Sequence, residues 1–179
     1  MGEGAPYGGA MFAMKLERIG EWIERDFPGD TLESHLFASQ FSPQYRAPGT
    51  HTTSSGDFGD TERAAFIESL ELDPDKKIGF LETFTICALT DRQLCIATRG
   101  GFRERPKKLL HAGPREGLKM YWYDGGVEAG TQFRHFVFVF ADGMWRGDRT
   151  GIKALGKSPK ANNSDHFIQA LGPAAVHVG

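Results

Sequence analysis

The spacing of apolar residues changes period near Ile78, and that change limits the possible folds more than any other feature of the chain. Before it, Phe12, Leu16, Ile19 and Ile23 recur at helical spacing, and Glu17, Arg18, Glu21, Glu24 and Arg25 fill the positions between them. This pattern predicts an amphipathic helix ending near Asp26, just ahead of Pro28 and Gly29. After it, Phe80, Phe84 and Ile86 share one parity while Leu81, Cys87 and Leu89 share the other, the mark of a strand buried on both faces. The helical and strand periods do not interleave, so a parallel α/β sheet is excluded.

The second half reads as successive strands. Thr90-Asp91-Arg92-Gln93 is a turn into Leu94–Thr98, and further strands are expected over Lys107–His111 and Leu118–Tyr123. Asp124-Gly125-Gly126 reads as another turn. The pair Asp142-Gly143 between Phe133–Phe140 and Met144–Arg149 is the strongest hairpin signal, because both residues tolerate positive φ. Asn163 or Ser164 then caps a helix bearing Phe167, Ile168 and Leu171, which Gly172-Pro173 stops.

In the first half, Gly2–Gly9 is rich in small residues and expected to be mobile. Asp30 and Glu33 resemble a capping box, so Leu32, Leu36 and Phe37 suggest a short second helix. Residues 42–60 carry Pro, Gly, Ser and Thr with little to bury, which predicts a long loop. A third short helix starting at Asp60 or Thr61 presents Phe66, Ile67 and Leu70. The division expected is an N-terminal helical extension with a flexible loop over 1–60 and a β-rich domain over 61–179.

The bulk properties exclude several classes. No apolar run approaches the ~20 residues that span a bilayer, and Met1–Ala13 lacks the pattern of a secretory leader. Cys87 and Cys95 are too few for a disulfide scaffold and have no metal-ligand company. A cytoplasmic protein with reduced thiols is expected. With a two-residue loop at Asp91-Arg92, Cys87 faces Ile96 and Cys95 faces Ala88, on opposite sides of the sheet. A three-residue loop would bring the two cysteines opposite each other.

Net charge of −2 conceals an asymmetry. Residues 1–91 hold 7 Lys and Arg against 16 Asp and Glu, residues 92–119 hold 8 against 2, and the rest hold 6 against 5. A local excess of one sign sets up a field that the total hides. The basic stretch contains Arg92, Arg99, Arg103, Arg105, Lys107, Lys108, Arg115 and Lys119. Of these, Arg99, Arg103, Arg105, Lys107, Lys108 and Arg115 are the candidate ligand-binding residues, since guanidinium forks clasp phosphate bidentately. Gly100-Gly101 would let backbone approach the ligand. The competing expectation is a solvated face, or one neutralised by the acidic first half. Nucleic acid is disfavoured by the acidic pI of about 6.3 and the lack of an RNP-type motif.

Other constellations favour structure over chemistry. The six histidines stand singly at no known metal-ligand spacing, though a cross-sheet pairing of His111 with His135 is one reading. Asp57, Asp60 and Glu62 gather near His51, but acids are favoured at a helix start anyway. No Gly-x-Ser-x-Gly elbow, P-loop or Gly-x-Gly-x-x-Gly is present, so no catalytic residue, metal or cofactor is assigned. Tyr121, Trp122, Tyr123 and Trp145 read as core packing.

The segment Cys87-Ala88-Leu89-Thr90-Asp91-Arg92-Gln93-Leu94 resembles the strand–turn–strand of many bacterial PH-like domains of unknown function. Gly143-Met144-Trp145, followed by the Phe167–Leu171 helix, is similar to their C-terminal end. The resemblance spans roughly 70–172, with Gln93 in place of the usual second Arg. It implies an α+β fold: an antiparallel PH-like β-barrel or bent sheet capped by the C-terminal helix. It also implies a non-enzymatic binding or scaffold module whose partner is an anionic membrane surface, a lipid headgroup, a peptide or a protein. The alternative is an NTF2-like α+β cone hosting a small enzyme or small-molecule carrier.

Overall fold

The computed structural model describes residues 7–40, 55–79, 84–100, 105–128, 130–154 and 163–179. It contains α1 (Tyr7–Asp26), β1 (Leu32–Gln40), α2 (Ser55–Ser69), β2 (Phe84–Thr90), β3 (Gln93–Gly100), β4 (Arg105–Pro114), β5 (Lys119–Glu128), β6 (Thr131–Val139), β7 (Trp145–Ala154), α3 (Asn163–Leu171) and β8 (Ala175–His177). The fold class is α+β and almost wholly antiparallel; among the described strands only β8 runs parallel to its neighbour, β5.

The strands form one hydrogen-bonded order, β4-β3-β2-β1-β7-β6-β5-β8. This order is two four-stranded sheets meeting at β1. β1 pairs with β2 along its length, from Leu32 opposite Thr90 to Ser39 opposite Phe84. It reaches β7 only through Ser39 opposite Arg149 and Gln40 opposite Asp148. The outer strands β4 and β8 do not pair with each other, so the sheet is not a closed barrel and the expectation of closure is corrected.

The inner faces of both sheets share one core. Leu36, Cys87, Leu89, Leu94 and Ile96 from the first sheet meet Met120, Phe136, Phe138 and Phe140 from the second. The C-terminal helix closes over this core through Phe167 and Leu171, with Ile168 packed at its margin, as their spacing predicts. Each outer face has its own helical cover. Ile19, Trp22 and Ile23 of α1 pack on Ile86, Ala88, Cys95 and Ala97, while Phe66 of α2 packs on Tyr123, Val137 and Trp145. A strand buried on both sides needs apolar residues at both parities, which is why β2 and β3 read as unbroken apolar runs.

Three local expectations need correction. Leu32–Gln40 is a strand rather than a helix. Ser34 and Leu36 point inward while Phe37 packs with the outer cluster, and this alternation outweighs the capping-box signal. β1 lies within residues 1–60 and pairs with β2, so removing that stretch would take a strand out of the sheet. Asp124-Gly125-Gly126 is not a turn: β5 continues through it with a register shift between Asp124 and Val127 opposite β6. α2 begins at Ser55, inside the stretch expected to be loop. The Asp142-Gly143 hairpin forms as expected: the Phe140 amide donates to the Met144 carbonyl at 2.8 Å, and Gly143 has φ of +81°.

Candidate functional site: the basic segment on β3 and β4

The fold pulls the basic segment apart. Arg105 opens β4 and Arg115 follows its last residue, Pro114. Ten residues of strand separate their backbones by about 30 Å, so the two cannot grip one small ligand together.

At the Arg115 end the charges are tied into the fold. Arg115 Nη1 lies 2.5 Å from the Glu33 carboxylate and 3.2 Å from the Thr90 carbonyl, and Nη2 donates to the Ala170 carbonyl in the last turn of α3. A cation there complements the helix C-terminus and satisfies a carbonyl without an intrahelical partner. Arg92 lies 3.7 Å from Asp30, whose side chain is 5% exposed. Asp30 also accepts from the Thr90 hydroxyl at 2.9 Å and the Gln93 amide at 2.7 Å. The expectation that acidic residues of the first half would neutralise the basic stretch therefore holds at this end.

The opposite end is built differently. Arg99, half-buried on β3, places its guanidinium over two rings, Phe84 at 5.2 Å and Phe37 at 5.6 Å. Lys107 and Lys108 are exposed on β4, beside Leu109 at 44% exposure, and Phe84 on β2 is 52% exposed. β4 is an outer strand, the place in a sheet where a proline such as Pro106 is tolerated, and the lysines also blunt the edge against another strand. The Lys108 amide turns inward to the Thr98 hydroxyl at 3.1 Å, where β4 shifts register against β3. Arg103 lies outside the described residues, and for Arg105 only the backbone is described, paired with Gly100. Lys119 is exposed at the start of β5.

The other candidates disperse as well. His111 lies on β4 opposite Ile96, and His135 on β6 opposite Tyr123 and Arg149, so the two histidines are not cross-strand partners. Burial lowers the His111 pKa, and burial with the nearby Arg63 and Arg149 guanidiniums pushes His135 down to about 3. His51 lies outside the described residues. Among the described residues, no group of three or more His, Cys, Asp or Glu is placed to hold a metal ion. No described helix is long and apolar enough to cross a membrane. Tyr123 and Trp145 pack beneath α2, while Trp122 lies against the inner core with the Arg134 guanidinium 4.6 Å from its ring centre.

Two polar clusters around buried arginines escaped the sequence reading. Arg134 is clasped by Asp124 at 2.6 and 2.9 Å and by Asp165 at 2.6 Å, and it also donates to the Ser164 hydroxyl at 3.0 Å. Arg146 and Asp148 form a fully buried pair at 2.7 Å. The Arg146-Gly147-Asp148 spacing puts both on one face of a strand, which was the available signal. Comparison with known families, curated proteins and solved structures finds no match to this chain.

Proposed function

We propose that this chain is a non-enzymatic binding module of PH-like architecture that docks on an anionic lipid surface through the Arg99 end of the basic segment. The carrying observation is the difference between the two ends. Arg92 and Arg115 are paired with Asp30 and Glu33, whereas Arg99 has no carboxylate partner among the described residues and stands over exposed Phe84, with exposed Leu109 on the neighbouring strand. Basic groups interleaved with apolar side chains suit the headgroup region of a membrane, where each basic residue contributes ~1 kcal/mol. The PH-like reading is supported by two meandering sheets joined at β1 and a terminal helix across their shared core.

The test is cosedimentation with vesicles of phosphatidylcholine alone or with phosphatidylserine. Wild type should bind the anionic vesicles, less so as salt rises past the ~10 Å Debye length of 0.1 M. Arg99→Glu/Lys107→Glu/Lys108→Glu should abolish binding while the chain stays folded, its melting temperature falling only by the few degrees that loss of the Arg99 ring contacts costs. Binding indifferent to that reversal would end the reading. Binding to soluble polyglutamate but not to vesicles would replace the membrane with an acidic protein partner.

A further inference from the structure

His135 is buried on the face of the second sheet that α2 covers. It stands on β6 opposite Tyr123 of β5 and Arg149 of β7, so the three side chains share one face, and it is 2% exposed. The Tyr123 ring stacks on it at 5.0 Å, and Phe66 of α2 meets Tyr123 edge-on at 4.8 Å. A Cβ at Gly125 would fall 2.7 Å from His135 Nε2, so the β5 backbone closes on the ring as well. Arg63, 7% exposed, precedes Phe66, Ile67 and Leu70 by three, four and seven residues and therefore lies on the stripe that α2 turns to the sheet.

Among the described residues, the charges that act on His135 are Arg63 from α2, Arg149 from β7 and Asp124 from β5. The two guanidiniums oppose its protonation. Asp124 favours it, but that carboxylate is bonded to Arg134 at 2.6 and 2.9 Å. Tyr123 stays neutral, since burial and then Glu62 push its pKa up to about 12. A proton on His135 would place a third cation in the space that holds two. β6 lies between β5 and β7 and cannot move aside, so the layer that can leave is α2.

α2 hangs from a fixed point. Trp145 Nε1 donates to the Asp73 carbonyl at 2.6 Å, and the Ile78 amide donates to the Trp145 carbonyl at 2.8 Å. Between this anchor and the helix the chain turns at Glu71, whose φ is +50°. The described part of α2 meets the sheet through Phe66, with Ile67 at the margin. A single short helix on one sheet face is the kind of unit that opens below the cost of global unfolding.

We propose that α2 is an acid-released cover: protonation of His135 beside Arg63 and Arg149 frees α2 about the Glu71 turn and exposes the apolar face of Tyr123, Val137 and Trp145 while the sheet stays folded. Under the cover, burial and the two guanidiniums hold the His135 pKa down to about 3. With α2 away, the ring regains water, loses Arg63 and returns towards the ordinary value near 6.5. The uncovered form therefore binds the extra proton. Its ratio to the covered form rises by an order of magnitude or more, and at most about 30-fold, from about pH 7.5 to about pH 5. This device stands apart from the docking reading, which concerns the other sheet.

Amide hydrogen exchange of the full chain at those two pH values, corrected for the intrinsic pH dependence of exchange, reads the opening of each element. α2 peptides should be less protected than β6 peptides at both, and the corrected opening of α2 should rise about 10- to 30-fold on acidification. In His135→Phe the rise should vanish. In Arg63→Glu, which faces the ring with a carboxylate, it should be smaller than in wild type. An α2 opening that does not change with pH, or a rise undiminished in either variant, would overturn the proposal. Equal protection of α2 and β6 would overturn it too, because release would then be inseparable from global unfolding.

Discussion

The Asp30 carboxylate accepts a hydrogen bond from the Gln93 side-chain amide at 2.7 Å, joining the α1–β1 connection to the β2–β3 turn. The Thr90 hydroxyl donates to the same carboxylate at 2.9 Å and accepts from the Gln93 and Arg92 amides at 2.9 and 3.2 Å. Asp91 completes the staple: its carboxylate accepts from the Thr31 amide at 2.8 Å, and its own amide donates to the Thr31 carbonyl at 3.0 Å. The Thr-Asp-Arg-Gln run is thus explained residue by residue as turn chemistry plus a tether.

Removing Asp30 should cost more than removing Gln93, because its loss takes the charged acceptor from both Gln93 and Thr90. The Thr90 hydroxyl then keeps only the Gln93 carbonyl at 3.1 Å, while the loss of Gln93 leaves the Thr90–Asp30 bond in place. Hydrogen bonds to charged groups are worth ~1.5–3 kcal/mol. Asp30→Ala is expected to destabilise by about 2–4 kcal/mol and Gln93→Ala by about 1–2, with the double variant well short of the sum. Urea denaturation of the cycle decides this, and strict additivity would mean that the 2.7 Å contact contributes nothing.

Leu171, 4% exposed in the shared core, tests whether α3 is docked. Leu171→Ala should cost ~2–5 kcal/mol, which for a chain of this size lowers the melting temperature by roughly 5–15 °C. A shift under 2 °C would place α3 off the core.

The two thiols lie on opposite sides of the first sheet. Cys87 pairs with Ile96 and faces the shared core, and Cys95 pairs with Ala88 and faces α1. Both are free and buried, and burial pushes the Cys87 thiol well up and the Cys95 thiol up to about 12. Neither should react with a thiol reagent in native protein, and both should react at once in denaturant. Fast labelling of native protein would contradict this burial.

Much of this arrangement was legible because sheet periodicity is local: parity left two cysteine registers open, and the two-residue turn that pairs Cys87 with Ile96 chooses between them. β1 was misread because Asp30 and Glu33 carry a helix-start signal that their long-range partners put to other use: Asp30 binds Gln93 and Glu33 binds Arg115. The division of the basic stretch was illegible for the same reason. Nothing near Arg99 in sequence announces Phe37, sixty-two positions away, whereas charge composition is visible without knowing which carboxylate each cation meets.

His135 should make stability depend on pH. Its pKa falls from the ordinary value near 6.5 to about 3 in the fold, so the folded state keeps it neutral while the unfolded chain binds a proton. The unfolded state therefore holds more protons between those values. Stability contributed by this group is full above pH 6.5 and is lost as pH falls towards 3, at up to ~1.4 kcal/mol per pH unit. His135→Phe, which keeps a ring against Tyr123, should flatten the profile over that window. A profile unchanged from wild type would remove His135 as its source.

The buried Arg146–Asp148 pair calls for a different experiment, because deleting one charge should cost more than deleting both. Arg146 Nε donates to Asp148 Oδ2 at 2.7 Å, and Nη1 donates to the Ile78 and Gly79 carbonyls at 3.0 and 3.2 Å. The Thr85 hydroxyl adds a bond to Asp148 at 3.2 Å, while Asp148 Oδ1 is buried without a hydrogen-bond partner. Burial raises the Asp148 carboxyl by more than the Arg146 guanidinium pulls it back, so desolvation outweighs attraction at this carboxylate. Asp148→Ala leaves a guanidinium buried without its carboxylate and should cost ~3–5 kcal/mol. Arg146→Met/Asp148→Leu removes both charges and fills the space with apolar atoms. It still forgoes the bonds to Ile78 and Gly79, at ~1–3 kcal/mol for the buried Ile78 carbonyl and less for that of half-exposed Gly79. The double variant should therefore fall between wild type and Asp148→Ala in chemical denaturation. If it proves the least stable of the three, the pair is holding the fold by net attraction, and the account of its burial cost is wrong.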